Sequence, residues 1–310
     1  MVKCMINYFV TLVFSIKALN NWSFCGLKLF YMKKLHFIVS VLMVFFVSIS
    51  SYGQNLKMMT YNIRWDNPDD GENWWPNRKD YFTSQIRFYS PDIFGVQEAT
   101  PNQVKDIASA FADYNKFGIG REEKGEGEAC TIYYRKDRFQ VQNTNTFWLS
   151  ENPNVVSRGW DAACNRVCTS ALFKDLKTKK FFWVFNVHLD HVGNEARIKG
   201  VQLVLSKIKE FNTKKYPVFL MGDFNSEPNT PQIAEIKKVM DDTKDVSIQK
   251  PFGPSGTFND FEHNKPVTLL IDYIFISKNS GLKVQKHAVL SDSKDLKYPS
   301  DHLPVYIEIN

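Results

Sequence analysis

The sequence predicts an α/β fold in which sheets and helices are stacked in layers. Short apolar runs of strand length recur along the chain, and several segments between them carry apolar residues at helical spacing. Strands and helices do not alternate regularly, and no G-x-G-x-x-G or P-loop segment is present, which excludes a nucleotide-binding doubly wound fold. Strands outnumber the helices that lie between them, so the pattern favours a layered α/β sandwich.

The elements are predicted in the following order. The first half contains, in order, a strand at 56–62, a helix at 78–89, a strand at 92–97, a helix from Pro101, and strands at 129–135, 139–149, 167–176 and 181–189. For the helix at Pro101, Thr100 is the expected N-cap and Gln103 its capping-box partner. The second half contains a helix at 195–211, a strand at 217–221, a helix from Pro231, and strands at 269–276, 282–290 and 303–309.

The N-terminal region has the pattern of an export signal. Lys33 and Lys34 precede an apolar run of 15 residues at 35–49, which is shorter than the roughly 20 residues of a spanning helix. Small residues follow, so we expect a signal peptide at 32–53, cleaved after Gly53, and a protein exported to the periplasm or the medium without a permanent membrane anchor. A membrane anchor or a buried helix is the alternative. We expect the true start at Met32, with residues 1–31 upstream of it; the alternative is that they form a genuine apolar extension. Residues 54–310 are expected to form one domain.

Charge and cysteine content narrow the function classes further. The whole chain carries a formal net charge of +6, but five lysines and no acid precede Gln54, which leaves 34 basic against 33 acidic residues, a net +1. A near-neutral domain lacks the broad basic surface of many nucleic-acid-binding proteins. Three cysteines remain, Cys130, Cys164 and Cys168, and buried free thiols are expected, with a bridge from Cys130 to one of the others as the alternative.

Polar residues recur at the ends of the predicted strands. Six such clusters are present: Asn62; Glu98; His188 with Asp190 and His191; Asp223 with Asn225; Asp272; and Asp301 with His302. Buried carboxylates are costly unless they bind a metal, pair with a charge or accept hydrogen bonds. Asp272 lies inside an apolar strand and needs a partner, for which a histidine is the natural choice. We therefore expect the six clusters to form one site.

These segments resemble the endonuclease/exonuclease/phosphatase superfamily. The resemblance rests on Thr60-Tyr61-Asn62, Gln97-Glu98, Asn186 to His191, Gly222-Asp223-Phe224-Asn225, Ile271-Asp272-Tyr273-Ile274 and Ser300 to Val305. The segment from Gly159 to Arg166 resembles a secreted bacterial branch similar to the carbon catabolite repressor and nocturnin deadenylases. The resemblance implies a four-layer α/β sandwich of two packed, largely antiparallel sheets with helices outside, and Mg²⁺-dependent hydrolysis of phosphate esters, with Mn²⁺ as the other candidate ion.

The resemblance also implies a role for each matched residue. Glu98, Asn62 and Asp301 correspond to metal ligands. His302 corresponds to the base that orients or deprotonates water, Asp272 to the carboxylate that holds its ring, and Asp223 to the residue that positions the nucleophile or handles leaving-group charge. Asn225 and His188 correspond to donors to the phosphate oxygens.

Five further residues are candidate substrate contacts: Arg64, Arg166, Trp160, Asp190 and His191. Arginines bind phosphate, and an aromatic ring near a phosphate site can stack on a base or a sugar. Some nuclease members carry an aspartate where this chain has Arg64, a difference that weakens a second metal site and leaves the number of metals open.

Several functions remain open at this stage. The first class is a phosphoesterase, either a nuclease with 3′–5′ exonuclease-like activity or an enzyme acting on sugar, inositol or lipid head-group phosphates. The second class is a non-catalytic binding module on the same fold. A zinc hydrolase is a further alternative, because Asn186-x-His188-x-Asp190-His191 is one residue away from a zinc-binding H-x-H-x-D-H motif. The expected partner is a phosphorylated substrate, with no stable protein partner and a monomeric state.

Overall fold

Two mixed β-sheets form the centre of the protein. The structure is a computed structural model that describes residues 55–310 together with Lys34 and His36, so the predicted signal peptide and the segment 1–31 lie outside the described residues apart from those two. Residues Asn55–Asn310 form one compact unit. Among the described residues, no helix has the length and apolar character needed to cross a membrane.

Twelve strands and four α-helices are described. The strands are β1 (Leu56–Asn62), β2 (Ile93–Gln97), β3 (Tyr114–Phe117), β4 (Ile132–Arg135), β5 (Phe139–Trp148), β6 (Val167–Asp175), β7 (Phe181–His188), β8 (Val218–Asp223), β9 (Met240–Asp242), β10 (Asp272–Ser277), β11 (Val284–Val289) and β12 (Val305–Ile309). The helices are α1 (Trp75–Tyr89), α2 (Pro101–Ala110), α3 (Asn194–Phe211) and α4 (Pro231–Lys237).

Each sheet has six strands and a single parallel pair. The first sheet has the order β11-β12-β1-β2-β4-β3 and the second β5-β6-β7-β8-β10-β9. The parallel pairs are β1 with β2 and β7 with β8, and the other neighbours are antiparallel. The prediction of largely antiparallel sheets is confirmed.

The layers follow from the alternation of side chains along each strand. In β1, Met58 lies in the core between the two sheets, whereas Met59 faces the helices α1 and α2 with Phe82 and Ile107. On the other side of the molecule, helices α3 and α4 pack on the outer face of the second sheet. The order of layers is helices, sheet, sheet, helices, which confirms the predicted four-layer α/β sandwich.

Several predicted bounds were wrong: β4 and β10 each begin three residues later than predicted, so Asp272 is the first residue of its strand and does not lie inside it. Helix α1 begins three residues earlier than predicted, at Trp75, because Pro76 is suited to the first turn, where its missing N–H costs nothing. The strands β3 and β9 were not predicted, since β3 is half exposed and polar at its centre and β9 has only three residues, two of them acidic. The capping box of Thr100 and Gln103 is present.

One edge of the sandwich gathers the ends of the strands from both sheets. The carboxyl ends of a parallel pair meet at the same edge, so β1 and β2 end together, as do β7 and β8. Strand β10 begins at that edge because it runs antiparallel to β8, which places Asp272 opposite Asp223. Gly222 allows β8 to lie close to β7 at this edge: its φ is 145°, and a Cβ there would lie 1.9 Å from the carbonyl oxygen of Val187.

Candidate active site

The predicted strand-end residues converge at this edge of the sandwich. Asn62 and Glu98 arrive from the first sheet, and His188, Asp223 and Asp272 from the second. Asp301 and His302 precede β12 and belong to the same group, because His302 hydrogen-bonds to Asp272 and the charges of His302 and Glu98 act on Asp301. The structure thus brings the six clusters to one edge of the sandwich, and the role of each residue stays a prediction.

Asn62 links the two sheets at the site. Its side-chain amide donates to Glu98 Oε1 at 3.0 Å and to Asp223 Oδ2 at 2.9 Å, and its Oδ1 accepts from the backbone N–H of Arg64 at 3.0 Å. Glu98 turns out of β2 with a left-handed φ of 63°, and its Oε2 accepts from the backbone N–H of Trp65 at 3.0 Å. One buried amide therefore fixes a carboxylate from each sheet.

His302 and Asp272 form a buried pair. The Nδ1 of His302 donates to Asp272 Oδ2 at 2.8 Å, while its Nε2 lies 3.9 Å from Asp223 Oδ2. Burial alone would lower the pKa of His302, but the charge of Asp272 and the hydrogen bond to it outweigh burial and hold that pKa well above its ordinary value. The ring of Phe258 packs edge-on against the imidazole, with 5.0 Å between ring centroids. Asp272 thus orients His302 and makes Nε2 a strong base.

The other carboxylates respond differently to burial. Burial and the neighbouring charge of Asp272 raise the pKa of Asp223 to about 7. Burial raises the pKa of Asp301 to about 6, with a further contribution from Glu98. For Glu98 itself, burial is outweighed by the hydrogen bond from Asn62 and the charge of His302, so its pKa lies below the ordinary value. A cluster of acids with raised pKa values has a high affinity for positive charge.

His188 and Asn225 form a neutral, donor-rich side of the site. Asn225 Nδ2 lies 3.1 Å from His188 Nε2, which is itself 3.4 Å from Asp223 Oδ2. Burial, followed by the charges of Arg166 and Arg121, holds the pKa of His188 well below its ordinary value, so the ring is uncharged at neutral pH. A neutral imidazole and an amide are suitable donors to the oxygens of a phosphate.

Arg166 connects this side of the site to the segment after β7. Its Nη1 lies 2.9 Å from the ring nitrogens of His188, and its Nη2 lies 2.9 Å from His191 Nδ1. Asp190 lies 3.6 Å from Arg166 Nε and accepts hydrogen bonds from the backbone N–H groups of Gly193 and Ala163 at 2.7 and 3.1 Å. Although burial opposes it, these backbone bonds lower the pKa of Asp190 to about 2. Asp190 is therefore a charged anchor for Arg166.

Arg64 and Trp160 lie at the margin of the site. Arg64 forms a two-pronged ion pair with Asp70, at 2.9 and 2.8 Å, and its Nη1 lies 4.0 Å from Asp301 Oδ2. Trp160 is half-buried, and its backbone N–H donates to Glu151 Oε2 at 3.3 Å. Among the described residues, Trp160 takes no part in the hydrogen-bond network around Asp223, and its role as a substrate contact stays a prediction.

Three further charged residues near the site were not predicted from the sequence. Arg78, 5% exposed, donates to four backbone carbonyls, those of Ile63, Arg64, Asn73 and Pro299, and so joins the segment after β1 to the segment before Asp301. Arg121 and Glu128 line a narrow pocket beside Glu98, Arg166 and His188. Arg78 was hidden in an amphipathic helix, and the other two in a loop with four glutamates that resembles a solvated turn. No local signal in the sequence distinguishes them from surface charges.

The donor set fits a hard divalent cation. Glu98, Asn62 and Asp301 supply oxygen atoms, and Asp223, Asp272 and His302 place ligand atoms within 4.8 Å of one another. The Oδ1 of Asp272 is buried without a hydrogen-bond partner among the described residues, which leaves an oxygen available to a cation or to water. Oxygen-rich, carboxylate-dominated sites suit Mg²⁺ or Mn²⁺ better than zinc.

The zinc alternative does not fit the position of Asn186. Its amide donates to the backbone carbonyls of Val96 and Thr131 at 2.9 and 3.2 Å, and its Oδ1 accepts from Gln97 Nε2 at 2.6 Å. These contacts with the first sheet occupy the residue that would have to be the first zinc ligand.

The three cysteines are free, as expected, with Cys130 and Cys168 buried and Cys164 half-buried.

Comparison with known proteins decides the family. The profile of the Endonuclease/Exonuclease/phosphatase family matches residues 59–302. The chain belongs to this family. The family's members with known activities are hydrolases of phosphoester bonds, so the prediction of an enzyme of this class is confirmed at that level, and the resemblance to nocturnin is borne out by the relatives below.

Relatives within the family include phosphatases and nucleases. The chain is 35% identical to the solved structure of a mannosyl-6-phosphatase from Bacteroides thetaiotaomicron, with a TM-score of 0.78 and coverage of 82% of this chain and 99% of that chain. It is 27% identical over 213 residues to the probable RNA exonuclease NGL3 of Saccharomyces cerevisiae, covering 62% of this chain and 42% of that protein. It is 26% identical over 176 residues to nocturnin of Drosophila melanogaster, covering 52% of this chain and 26% of that protein. The match thus spans less than half of these two eukaryotic proteins.

Proposed function

We propose that this protein is an exported, Mg²⁺-dependent phosphatase that hydrolyses a small phosphorylated sugar. The observation that carries the reaction type is the buried pair of His302 and Asp272 facing Asp223, beside the carboxylate of Glu98. A base with a fixed tautomer next to a cation-binding set of oxygens is suited to direct attack by water on phosphorus.

In the proposed reaction, His302 receives a proton from the attacking water. Its Nδ1 is held by Asp272, so Nε2 faces the side of Asp223 and accepts that proton when the ring is in its neutral form. Asp223, with a pKa raised to about 7, positions the water or handles the charge on the leaving oxygen. Asn225, His188 and Arg166 donate to the phosphate oxygens, where negative charge increases in the transition state.

Glu98, Asn62 and Asp301 are the proposed ligands of Mg²⁺. When bound, a divalent ion neutralises charge on the phosphate oxygens and polarises the reacting group. The tasks of the chain are to hold these ligands in place through Asn62 and to keep Asp301 in the cluster, where Ser300 Oγ donates to its Oδ1 at 3.2 Å.

Two observations favour a sugar phosphate over a nucleic acid. The related Bacteroides protein named as a mannosyl-6-phosphatase is matched over almost its whole length, whereas NGL3 is matched over less than half of its length. The net charge of +1 predicted for residues 54–310 also does not supply a broad basic surface. A 3′–5′ exonuclease is the second candidate, because NGL3 is named as a probable RNA exonuclease.

A substrate panel tests the proposal. The purified protein is incubated with Mg²⁺ and with hexose phosphates, inositol phosphates, nitrophenyl phosphate, bis-nitrophenyl phosphate, and RNA and DNA oligonucleotides. We expect the highest kcat/KM for a hexose phosphate and loss of activity in His302→Ala. Turnover of oligonucleotides alone would establish the exonuclease instead, and no turnover of any phosphoester would refute an enzymatic function.

Export and a monomeric state are separate parts of the proposal. The basic start at Lys33 and Lys34 and the apolar run that follows support a cleaved signal peptide. Mass spectrometry of the protein from the periplasm or medium should identify Gln54 as the first residue, and size-exclusion chromatography with light scattering should give the mass of one chain. Recovery of uncleaved protein in the cytoplasm would contradict the export proposal.

A further inference from the structure

A narrow pocket continues from the candidate active site between two polar segments. Glu98 and His188 line it together with Arg121, Glu128 and Arg166. The pocket is therefore continuous with the residues that the proposed mechanism uses. Neither the metal ligands nor the water-activating pair needs Arg121 or Glu128, so their chemistry at this position requires a separate explanation.

The walls of this pocket are firmly held. Trp148 Nε1 donates to the backbone carbonyl of Arg121 at 2.7 Å, and Asn165 Nδ2 donates to Glu122 Oε2 at 2.7 Å, which ties the 120–128 loop to the segment carrying Arg166. Ala129 forms β-bridges with both Gly120 and Ala99. These contacts hold the pocket in place, and its volume of about 10 Å³ is room for about one water-sized group.

Both arginines keep a donor that the protein does not use. The Nε atoms of Arg121 and Arg166 are buried and have no hydrogen-bond partner among the described residues. Their nearest carboxylates, Glu122 and Asp190, lie at 3.6 Å, which is too far for a hydrogen bond. Arg166 is only 6% exposed. An unused buried donor is costly, and a ligand with acceptor oxygens would remove that cost.

The charge of the pocket argues against a second phosphate group. Arg121 Nη2 binds Glu128 Oε1 at 2.8 Å, and Arg166 is paired with Asp190, so each cation is already balanced. Guanidinium groups donate and carboxylates accept, and a hydroxyl group does both. A neutral ligand rich in hydroxyl groups matches this surface better than an anion.

We propose that Arg121, Glu128 and Arg166 bind one hydroxyl group of a sugar whose phosphate lies between His302 and His188. This inference rests on the proposed phosphatase function and adds the residues that select the substrate. Arg166 contacts both parts of the substrate, whereas Arg121 and Glu128 contact only the sugar. Removing the latter two contacts should therefore impair recognition of the sugar and spare the chemistry at phosphorus.

The test compares two substrates that differ in the leaving group. A hexose 6-phosphate carries the hydroxyl groups, and nitrophenyl phosphate has none. Glu128→Gln should lower kcat/KM for the hexose phosphate by about tenfold or more, mainly through KM, since hydrogen bonds to charged groups have this magnitude. The kcat/KM for nitrophenyl phosphate should fall several-fold less, since only the change of charge near Glu98 and His188 affects it. Arg121→Lys keeps the charge but loses the planar set of N–H donors of the guanidinium group, and it should show the same selectivity.

Glu123→Gln is the matched control, since it makes the same chemical change at an exposed position of the same loop and should alter neither activity. Thermal unfolding of each variant shows whether it is folded. Equal losses on both substrates, or no loss on either, would overturn the inference, as would a preference of the wild type for a hexose bisphosphate over the monophosphate. If the wild type hydrolyses nitrophenyl phosphate and no sugar phosphate, the sugar pocket is refuted while phosphatase activity stands. If it hydrolyses neither, the proposed function itself fails.

Discussion

The Nδ1 of His302 donates to Asp272 Oδ2 at 2.8 Å, although the two residues are 30 positions apart in the chain. Asp272 is the first residue of β10, and His302 lies in the segment before β12, so the two strands belong to different sheets. The pair therefore forms across the interface between the sheets. The distance between the two side chains therefore depends on how one sheet packs on the other.

Replacing Asp272 with asparagine should reduce kcat strongly with little change in fold. The amide keeps the shape but removes the charge that raises the pKa of His302, so Nε2 becomes a weaker base. We expect a fall in kcat of about 10²- to 10⁴-fold. The acid limb of the pH profile should move to lower pH, and kcat measured across the pH range checks both effects. An unchanged acid limb would show that His302 is not the base.

Asp223→Asn should remove most of the activity and yet stabilise the metal-free protein at alkaline pH. The folded-state pKa of Asp223 is raised to about 7, above its unfolded value, so the charged carboxylate costs stability at pH 8. This cost disappears as the pH falls through 7, because the group is then protonated in the folded protein. Urea unfolding in EDTA at pH 8 and pH 5 measures the difference. Asp80→Asn, at an exposed position of α1, is the control, and a variant less stable than wild type at pH 8 would contradict this account.

Glu98→Gln should weaken metal binding more than it weakens folding. Mg²⁺ should raise the melting temperature of the wild type, since a ligand at about 100 times its Kd adds about 2.7 kcal/mol. The variant lacks one charged ligand, so we expect it to need at least tenfold more Mg²⁺ for the same rise in melting temperature. A tenfold change in affinity is a difference of about 1.4 kcal/mol in binding free energy. Differential scanning fluorimetry with MgCl₂ against EDTA measures this. Equal shifts in both proteins would exclude Glu98 as a ligand.

Arg78→Lys should destabilise the protein and impair the site indirectly. Lysine cannot reach the four carbonyls that Arg78 binds, so buried acceptors lose their partners. We expect a loss of about 2–4 kcal/mol in the free energy of unfolding, with a fall in kcat because Asp301 and Asn62 are less well positioned. Arg158→Lys, which makes the same change at an exposed position, should cost less than about 0.5 kcal/mol. If Arg78→Lys is as stable as that control, the four hydrogen bonds of Arg78 do not stabilise the protein.

The sequence indicated most of the candidate site because the strands end where the polar residues begin. An apolar run followed by Asn62, Glu98 or Asp223 marks both a strand and its end, and parallel strands carry such ends to a common edge. Arg121 and Glu128 could not be identified in this way. Their loop contains exposed and buried acids in one stretch, and burial there depends on contact with Trp148 and Asn165 from other parts of the chain.

The sequence by itself determined most of the elements, their layered class, the family and the list of polar residues at strand ends, since each depends on local pattern and order along the chain. The tertiary structure alone decided which of these polar groups meet. Asn62 reaches Asp223 across 161 residues, and Arg166 meets His188 and Asp190 with its Nε unused. Such pairings depend on how one sheet packs on the other, and burial then sets the pKa of each group. Local sequence patterns predict neither the packing of the sheets nor the burial of each group.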